Sequence, residues 1–401
     1  MYARIEIAIK GPKMEIAVGT QRRAIVEAPT ILCFSHLRWN FVHQRPQHIL
    51  ILASKANNII YFEEPLFEVV PQAFMRSNDV SQSIRVVTPV LPVGTTQQAA
   101  DAAQRRFLDT IVAATPQEGL TTWYYTPMAL RFSDHILCDV CVYDCMDELS
   151  AFKDAPPELV QMERRLLERA DVVFTGGQSL YEAKRSLHRS IFPFPSSIDF
   201  THFHQARGGG ADPVDQEEIP HPRVGYFGVI DERLDADLVA QTAMKMTDIQ
   251  FVMVGPVVKI DPKGLPRAEN LHWLGSRDYA DLPRYLRHWD AGWMPFALNA
   301  ATRYISPTKT PEFLAAGVPL VSTAIVDVVR TYGAEGLVEI VDADDVEAKL
   351  RSVLARPRDR LWPQVDAYLL DMSWEKTWSA MAVHIEHARS TRNILPFRRS
   401  A

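Results

Sequence analysis

Between Arg303 and Glu312 the sequence RYISPTKTPE gathers a guanidinium, four hydroxyls, an ammonium and a carboxylate on a loop that runs into a short helix. Gly317-Val318-Pro319 stops that helix, and Leu320-Val321-Ser322 begins a buried strand. A loop feeding a helix N-terminus presents backbone N–H groups and the positive end of the helix dipole, which suits a phosphate. Lys309 adds a mobile cation there, and Glu312 accepts hydrogen bonds from hydroxyls such as those of a sugar. Glu312 also suits plain first-turn capping, and the two readings are compatible. A second cluster follows the first strand: His36, Arg38, Trp39, His43 and Arg45. Aromatic and polar groups at a strand end suit sugar stacking and hydroxyl recognition, the alternative being a surface loop with a satisfied histidine. A third candidate is Asp147, in the acidic end of the run Tyr143 to Glu148. It could orient a hydroxyl or act as a base, or it could simply cap the next helix.

These groups need a scaffold that brings distant loops together, and the chain supplies one. In the first half, apolar β-branched runs at 30–34, 58–62, 84–87, 122–125, 140–143 and 172–175 alternate with helical segments at 46–54 and 157–170. In the latter helix Leu159, Met162, Leu166 and Leu167 share one face, with Glu163, Arg164 and Arg165 predicted outward. Gly208, Gly209 and Gly210 then open an acidic, proline-containing stretch that reads as a flexible linker. The pattern restarts with strands at 223–227, 250–254, 271–273, 291–294, 319–322 and 338–341, and helices at 236–245, 281–288, 311–316 and 345–354. The expected organisation is an α/β chain with two doubly wound, parallel-sheet, Rossmann-like domains facing across a cleft, at 29–205 and 223–370, joined by a linker at 206–222. Residues 1–28 read as a leader or a short strand on alternating Ile5, Ile7 and Ile9, and 371–401 as a final helix.

Composition fits two soluble cores: 401 residues, 47% hydrophobic and 23% charged. A net charge of −6 argues against a general nucleic-acid binder. No apolar run reaches the ~18 residues of a membrane span, and Glu6 and Lys10 interrupt any secretory signal, so a cytoplasmic chain is expected. Four cysteines in this length fit a reducing compartment, and Cys138, Cys141 and Cys145 read as small buried hydrophobes rather than a metal site. Asp235-Ala236-Asp237 and Asp342-Ala343-Asp344 sit at helix starts, where Asp is the expected cap, and neither is read as binding metal. No Walker-type loop is present, and no G-x-G-x-x-G follows the first strand.

With these residues in view, SPTKTPEFLAAGVPLVST resembles the donor-binding segment of glycosyltransferases with the GT-B fold, in particular retaining glycosyltransferase group 4. The run 192–200, FPFPSSIDF, resembles the family's Pro-Asn-Gly-Val-Asp hinge, with Ser196 and Ser197 where Asn and Gly are usual. Gly225 to Arg233 resembles the first strand and loop of the donor domain, where a basic pair neutralises the diphosphate; Val229 stands at the usual Arg position, and Arg233 lies close to the usual Lys. A guanidinium binds phosphate with two bonds, which favours Arg233 as ligand over an exposed Arg on a loop.

The resemblance implies sugar transfer from a nucleotide-diphosphate sugar to an acceptor hydroxyl, with retention and without metal or other cofactor. Lys309, Arg233 and Asp147 would then carry the chemistry. Glu312, Gly228, Ser306, Pro307, Thr308, Arg303, Ser276 and Arg277 would hold the donor, and His36, Arg38, Trp39 and Arg45 the acceptor. Relatives often carry a first glutamate where this chain has Tyr304, and a histidine where it has the run Trp123 to Pro127. Implied partners are the nucleotide sugar and a glycan or lipid-linked acceptor, with peripheral contact at the inner membrane face; no nucleic acid is expected. The final helix would cross back onto the first domain. A nucleotide-sugar 2-epimerase and a non-catalytic sugar-nucleotide or partner-binding protein are the alternatives on this scaffold.

Overall fold

The computed structural model describes residues 28–116 and 118–394, so the leader region 1–27 and residues 395–401 lie outside the described residues. Fifteen strands follow in chain order. The first nine are β1 Thr30–Ser35, β2 Asn58–Glu63, β3 Leu66–Glu68, β4 Phe74–Ser81, β5 Ile84–Pro92, β6 Thr121–Tyr124, β7 Val140–Cys145, β8 Val172–Thr175 and β9 Ile191–Pro193. The other six are β10 Arg223–Phe227, β11 Gln250–Val254, β12 Leu271–Gly275, β13 Ala291–Met294, β14 Leu320–Thr323 and β15 Val338–Val341.

They form two sheets. The first runs β3-β5-β2-β1-β6-β7-β8-β9 with β4 antiparallel on β5; the second runs β12-β11-β10-β13-β14-β15 and is parallel throughout. In each sheet the chain order reverses beside the first strand, between β1 and β6 and between β10 and β13. Ligands of open α/β sheets bind at the carboxyl ends of such strands. Strands buried on both faces are mostly apolar, and β1, β7, β10 and β13 are buried at every position, with the buried charges of Asp144 and Arg223 each held by an ion pair.

Helix Trp374–Ile394 returns to the first sheet, where Trp374, Met381 and Ile385 join its core and Arg389 donates to Thr121 Oγ1 at 3.0 Å. At the crossover between sheets, Phe203 and Ala206 pack into the second core.

Three details differ from the sequence reading. The stretch after Gly210 is packed rather than flexible. Asp212 pairs with buried Arg223, Gln216 accepts from Trp289 Nε1 at 2.8 Å, and Ile219 joins the second core. Glu163 turns inward: it accepts from Lys184 Nζ at 2.8 Å and from the Tyr143 hydroxyl at 2.8 Å, and that ion pair keeps a carboxylate inside. The first sheet is not wholly parallel, because β4 (FMRSNDVS), polar and largely exposed, makes a hairpin with β5.

Candidate functional site

Two joined cavities, of about 90 and 270 Å³, lie between the sheets and share Gln44, Val229, Arg233, Thr308 and Lys309. Helix Lys309–Ala315 fills the space after β13 and points its first turn into them. The amides of Thr308 and Lys309 find no acceptor among the described residues, as expected for a first turn. Lys309 runs across the loop after β10. A Cβ placed on Gly228 would lie 1.9 Å from Lys309 Cε, and Gly228 has φ +130°. Only glycine leaves that path open. The described lysines in salt bridges are Lys184, Lys349 and Lys376, so Lys309 stands in the cleft without an ion-pair partner. Burial lowers its pKa, while Glu312 raises it in opposition.

Glu312, one turn further along the helix, is buried and lines the larger cavity. Burial pushes its pKa up to about 7, against the pull of Lys309. Arg233 lines both cavities and is aimed by Asp231, which accepts from its Nε at 2.9 Å and its terminal nitrogen at 2.8 Å. Its guanidinium lies 5.6 Å from the centre of the Phe152 ring, and Lys259 Nζ lies 5.0 Å from the same ring. Asp147 comes from the opposite sheet into the smaller cavity; burial raises its pKa, and Arg233 and Lys309 lower it. Carboxylates from both halves and the Arg233 and Lys309 cations of the second therefore meet around one small volume.

Of the other candidates, Ser306, Pro307 and Thr308 line the smaller cavity, and Ser276 and Arg277 line the larger one. Arg277 turns its guanidinium onto Asp215 and the Tyr285 hydroxyl. Arg303 is a correction: it is exposed, outside both cavities, with its guanidinium 5.2 Å from the Tyr304 ring centre. Tyr304 itself packs against the first sheet's core, so this loop is pinned across the cleft.

The first-strand cluster also needs correction. Arg45 is buried, holding Asp144 through contacts of 2.9 to 3.1 Å and donating to Phe194 O at 2.6 Å. With those donors occupied it is a structural tie at the start of helix Arg45–Ala53, although it also borders the smaller cavity. Arg38 is committed to Glu63 and to the carbonyls of Glu64 and Pro65. Trp39 is buried edge-on against Tyr61 and reaches the larger cavity with little exposed ring. His36 is held neutral by burial, its pKa down to about 4, and its Nδ1 has no partner among the described residues.

Sequence reasoning missed Lys259 and Tyr279. Both follow strand ends of the second sheet, β11 and β12, which was the available signal. Tyr279 lines the larger cavity among His43 and His202, with ring centres 4.5 and 4.3 Å away.

The halves also meet beyond the cavities. Ser179 N donates to Asp327 Oδ1 at 3.1 Å, Lys153 N to Glu232 at 3.0 Å and the Ser196 hydroxyl to Ser306 O at 2.9 Å. Among the described residues no group of three or more His, Cys, Asp or Glu side chains is placed to hold a metal, and no helix is long and apolar enough to cross a membrane. Asp235 caps its helix through Leu238 N at 2.9 Å.

No family model matches the chain. In sequence it is similar to TuaH of Bacillus subtilis (strain 168), a protein named as a teichuronic acid biosynthesis glycosyltransferase. Identity is 26% over 217 residues, 50% of this chain and 54% of that protein, so the chain spans about half the length of the curated relative it matches. In structure it is similar to an α,α-trehalose-phosphate synthase (UDP-forming) from Burkholderia vietnamiensis, with TM-score 0.66 and 11% identity, covering 92% of this chain and 100% of that one. It is also similar to WaaG, a glycosyltransferase involved in lipopolysaccharide biosynthesis, with TM-score 0.62 and 12% identity over 88% of this chain and 99% of that one. The chain has the GT-B fold of these glycosyltransferases: two Rossmann-like sheets facing across a cleft.

Proposed function

We propose that this protein is a glycosyltransferase that moves a sugar from a nucleotide-diphosphate donor to an acceptor hydroxyl, with retention of configuration and without a metal. The observation that carries the proposal is Lys309. It is an ammonium without an ion-pair partner, laid across Gly228 at the switch point of the second sheet and flanked by Arg233 and Glu312. Charge grows on the diphosphate as the glycosidic bond breaks. In this reading Lys309, Arg233 and the first-turn amides of helix Lys309–Ala315 stabilise that charge. Glu312 accepts from ribose hydroxyls, and Asp147, facing from the other half, receives or orients the attacking hydroxyl. The ties across the halves keep water out of the cleft during transfer.

The UDP-forming synthase among the structural neighbours makes a UDP-sugar the first donor to try. TuaH and WaaG point toward an envelope glycan as product, with an acceptor presented in the cytoplasm or at the inner membrane face.

Thermal unfolding with UDP-, GDP-, ADP- and dTDP-sugars tests the donor site. One nucleotide class raises the Tm, and Lys309→Ala abolishes the rise. No rise with any of them removes the proposal.

A further inference from the structure

A cavity of about 480 Å³ opens in the first half, bounded by the carboxyl ends of β1 and β2 and the segment after β6. It shares no lining residue with the cleft around Lys309. Its base rests on core phenylalanines Phe34 and Phe62, each 1% exposed, and its open aromatic surface comes from half-buried Phe132 and half-exposed Phe67.

Its wall is polar in an unusual way. Gln104, 2% exposed, donates its amide nitrogen to Ala100 O, but Oε1 has no partner among the described residues. A buried amide oxygen left unpaired is costly, so a donor supplied by a ligand would be favoured there. The charges are one-sided: Glu63, Glu64, Asp101 and Glu158 against Arg131 alone. Arg131 is already paired with Asp101 at 3.0 Å, and Glu63 is satisfied by Arg38, Thr88 and the Trp39 amide. Glu64 and Glu158 stay open at the rim. The lining itself offers an anion no uncommitted cation, with Lys259 acting on Glu64 only from outside it.

We infer that this cavity holds the part of the acceptor remote from its attacking hydroxyl, which reaches toward Asp147 in the cleft, and that this part is an uncharged sugar or glycoside rather than a sugar phosphate or other anionic sugar. This rests on the transferase reading for the word acceptor, while the ligand class rests on the lining alone. The ring's apolar face lies against Phe67 and Phe132, and hydroxyls donate to Gln104 Oε1 and to the rim carboxylates.

Saturation-transfer NMR on the full chain, with a panel of neutral p-nitrophenyl hexosides and the matching hexose 6-phosphates, tests it. Hexosides are expected to bind at least tenfold more tightly than the phosphates. Gln104→Leu, which removes the unpaired oxygen and should not lower the Tm, weakens the best hexoside at least fivefold. The exposed double change Glu64→Lys with Glu158→Lys shifts preference toward the phosphates. Equal or tighter binding of the phosphates by the unaltered protein overturns the inference, as does hexoside binding indifferent to both variants or no binding of any probe. The thermal panel reads the donor site separately. Phosphate preference in a chain stabilised by a nucleotide sugar sinks this inference alone. Hexoside preference in a chain that no nucleotide sugar stabilises keeps the cavity and removes the transferase reading.

Discussion

Lys309 and Glu312 sit one turn apart on a buried first turn, and each shifts the other's charge. Removing the ammonium should cost the charge-assisted contacts to a diphosphate, about 1.5–3 kcal/mol. Lys309→Ala is therefore expected to weaken nucleoside-diphosphate binding roughly 10- to 100-fold by calorimetry, with little change in stability. Glu312 makes a pH prediction. Its folded pKa, about 7, lies above the ordinary glutamate value. The stability it contributes is thus complete at low pH and is lost as pH rises through 7, by at most about 3 kcal/mol. The unliganded protein should lose Tm between pH 4.5 and about pH 7, and Glu312→Gln should flatten that slope. Donor affinity should move the other way, rising with pH, because a carboxylate accepts ribose hydroxyls better than a carboxylic acid does. Both titrations are readable by scanning fluorimetry at fixed ionic strength. These two residues were legible in the sequence because local spacing puts them on one helix turn. Arg45 was not. Nothing local says that Asp144, far along the chain, will hold it inside.

At the level of elements, the strands read well because doubly buried parallel strands must be continuous apolar runs. β8, β10, β11, β13 and β15 fall where their sequences place them. Helix Gln97–Ala113 did not show itself: its buried face is Ala100, Ala103, Gln104 and Leu108, too weakly apolar to register as a stripe. The residues around the linker misled for a different reason. Glycines and acids imply a mobile chain only when nothing packs on them, and here Arg223, Trp289 and Arg277 bind the acids and Gln216. The tightest element-level constraint is the β10 loop under Lys309. Gly228→Ala adds a methyl group where Lys309 Cε already lies, on a backbone with φ +130°. It should cost about 1–3 kcal/mol in urea unfolding and weaken the diphosphate by displacing Lys309, a double effect absent from Gly264→Ala, whose added Cβ meets open space on a backbone without positive φ.

Across the whole molecule, the polar ties of closure include the Asp327 carboxylate at the start of helix Gln178–Lys184, Arg330 on Glu182 at 2.9 Å, and the Ser196 and Lys153 hydrogen bonds, beside the packing of Tyr304 on the first core and of Arg233 and Lys259 on Phe152. Gly177 leaves room for this latch, since a Cβ there would lie 2.4 Å from Asp327 Oδ2. Asp327→Ala should open the unliganded molecule, seen as a larger radius of gyration in solution scattering, and raise the donor KM while each half keeps its own core. Two facing sheets were foreseeable from the repeated alternation of strands and helices; which side chains bridge them was not, because every bridge joins residues far apart in sequence.

The most direct test of the account is to incubate the stabilising nucleotide sugar with the tightest-binding neutral hexoside and follow the anomeric carbon by NMR. The account predicts a new glycoside with the donor's anomeric configuration, formed with release of the nucleoside diphosphate and lost in Lys309→Ala. Conversion of the donor to an isomer without any acceptor, or a donor that binds and never turns over, would contradict it.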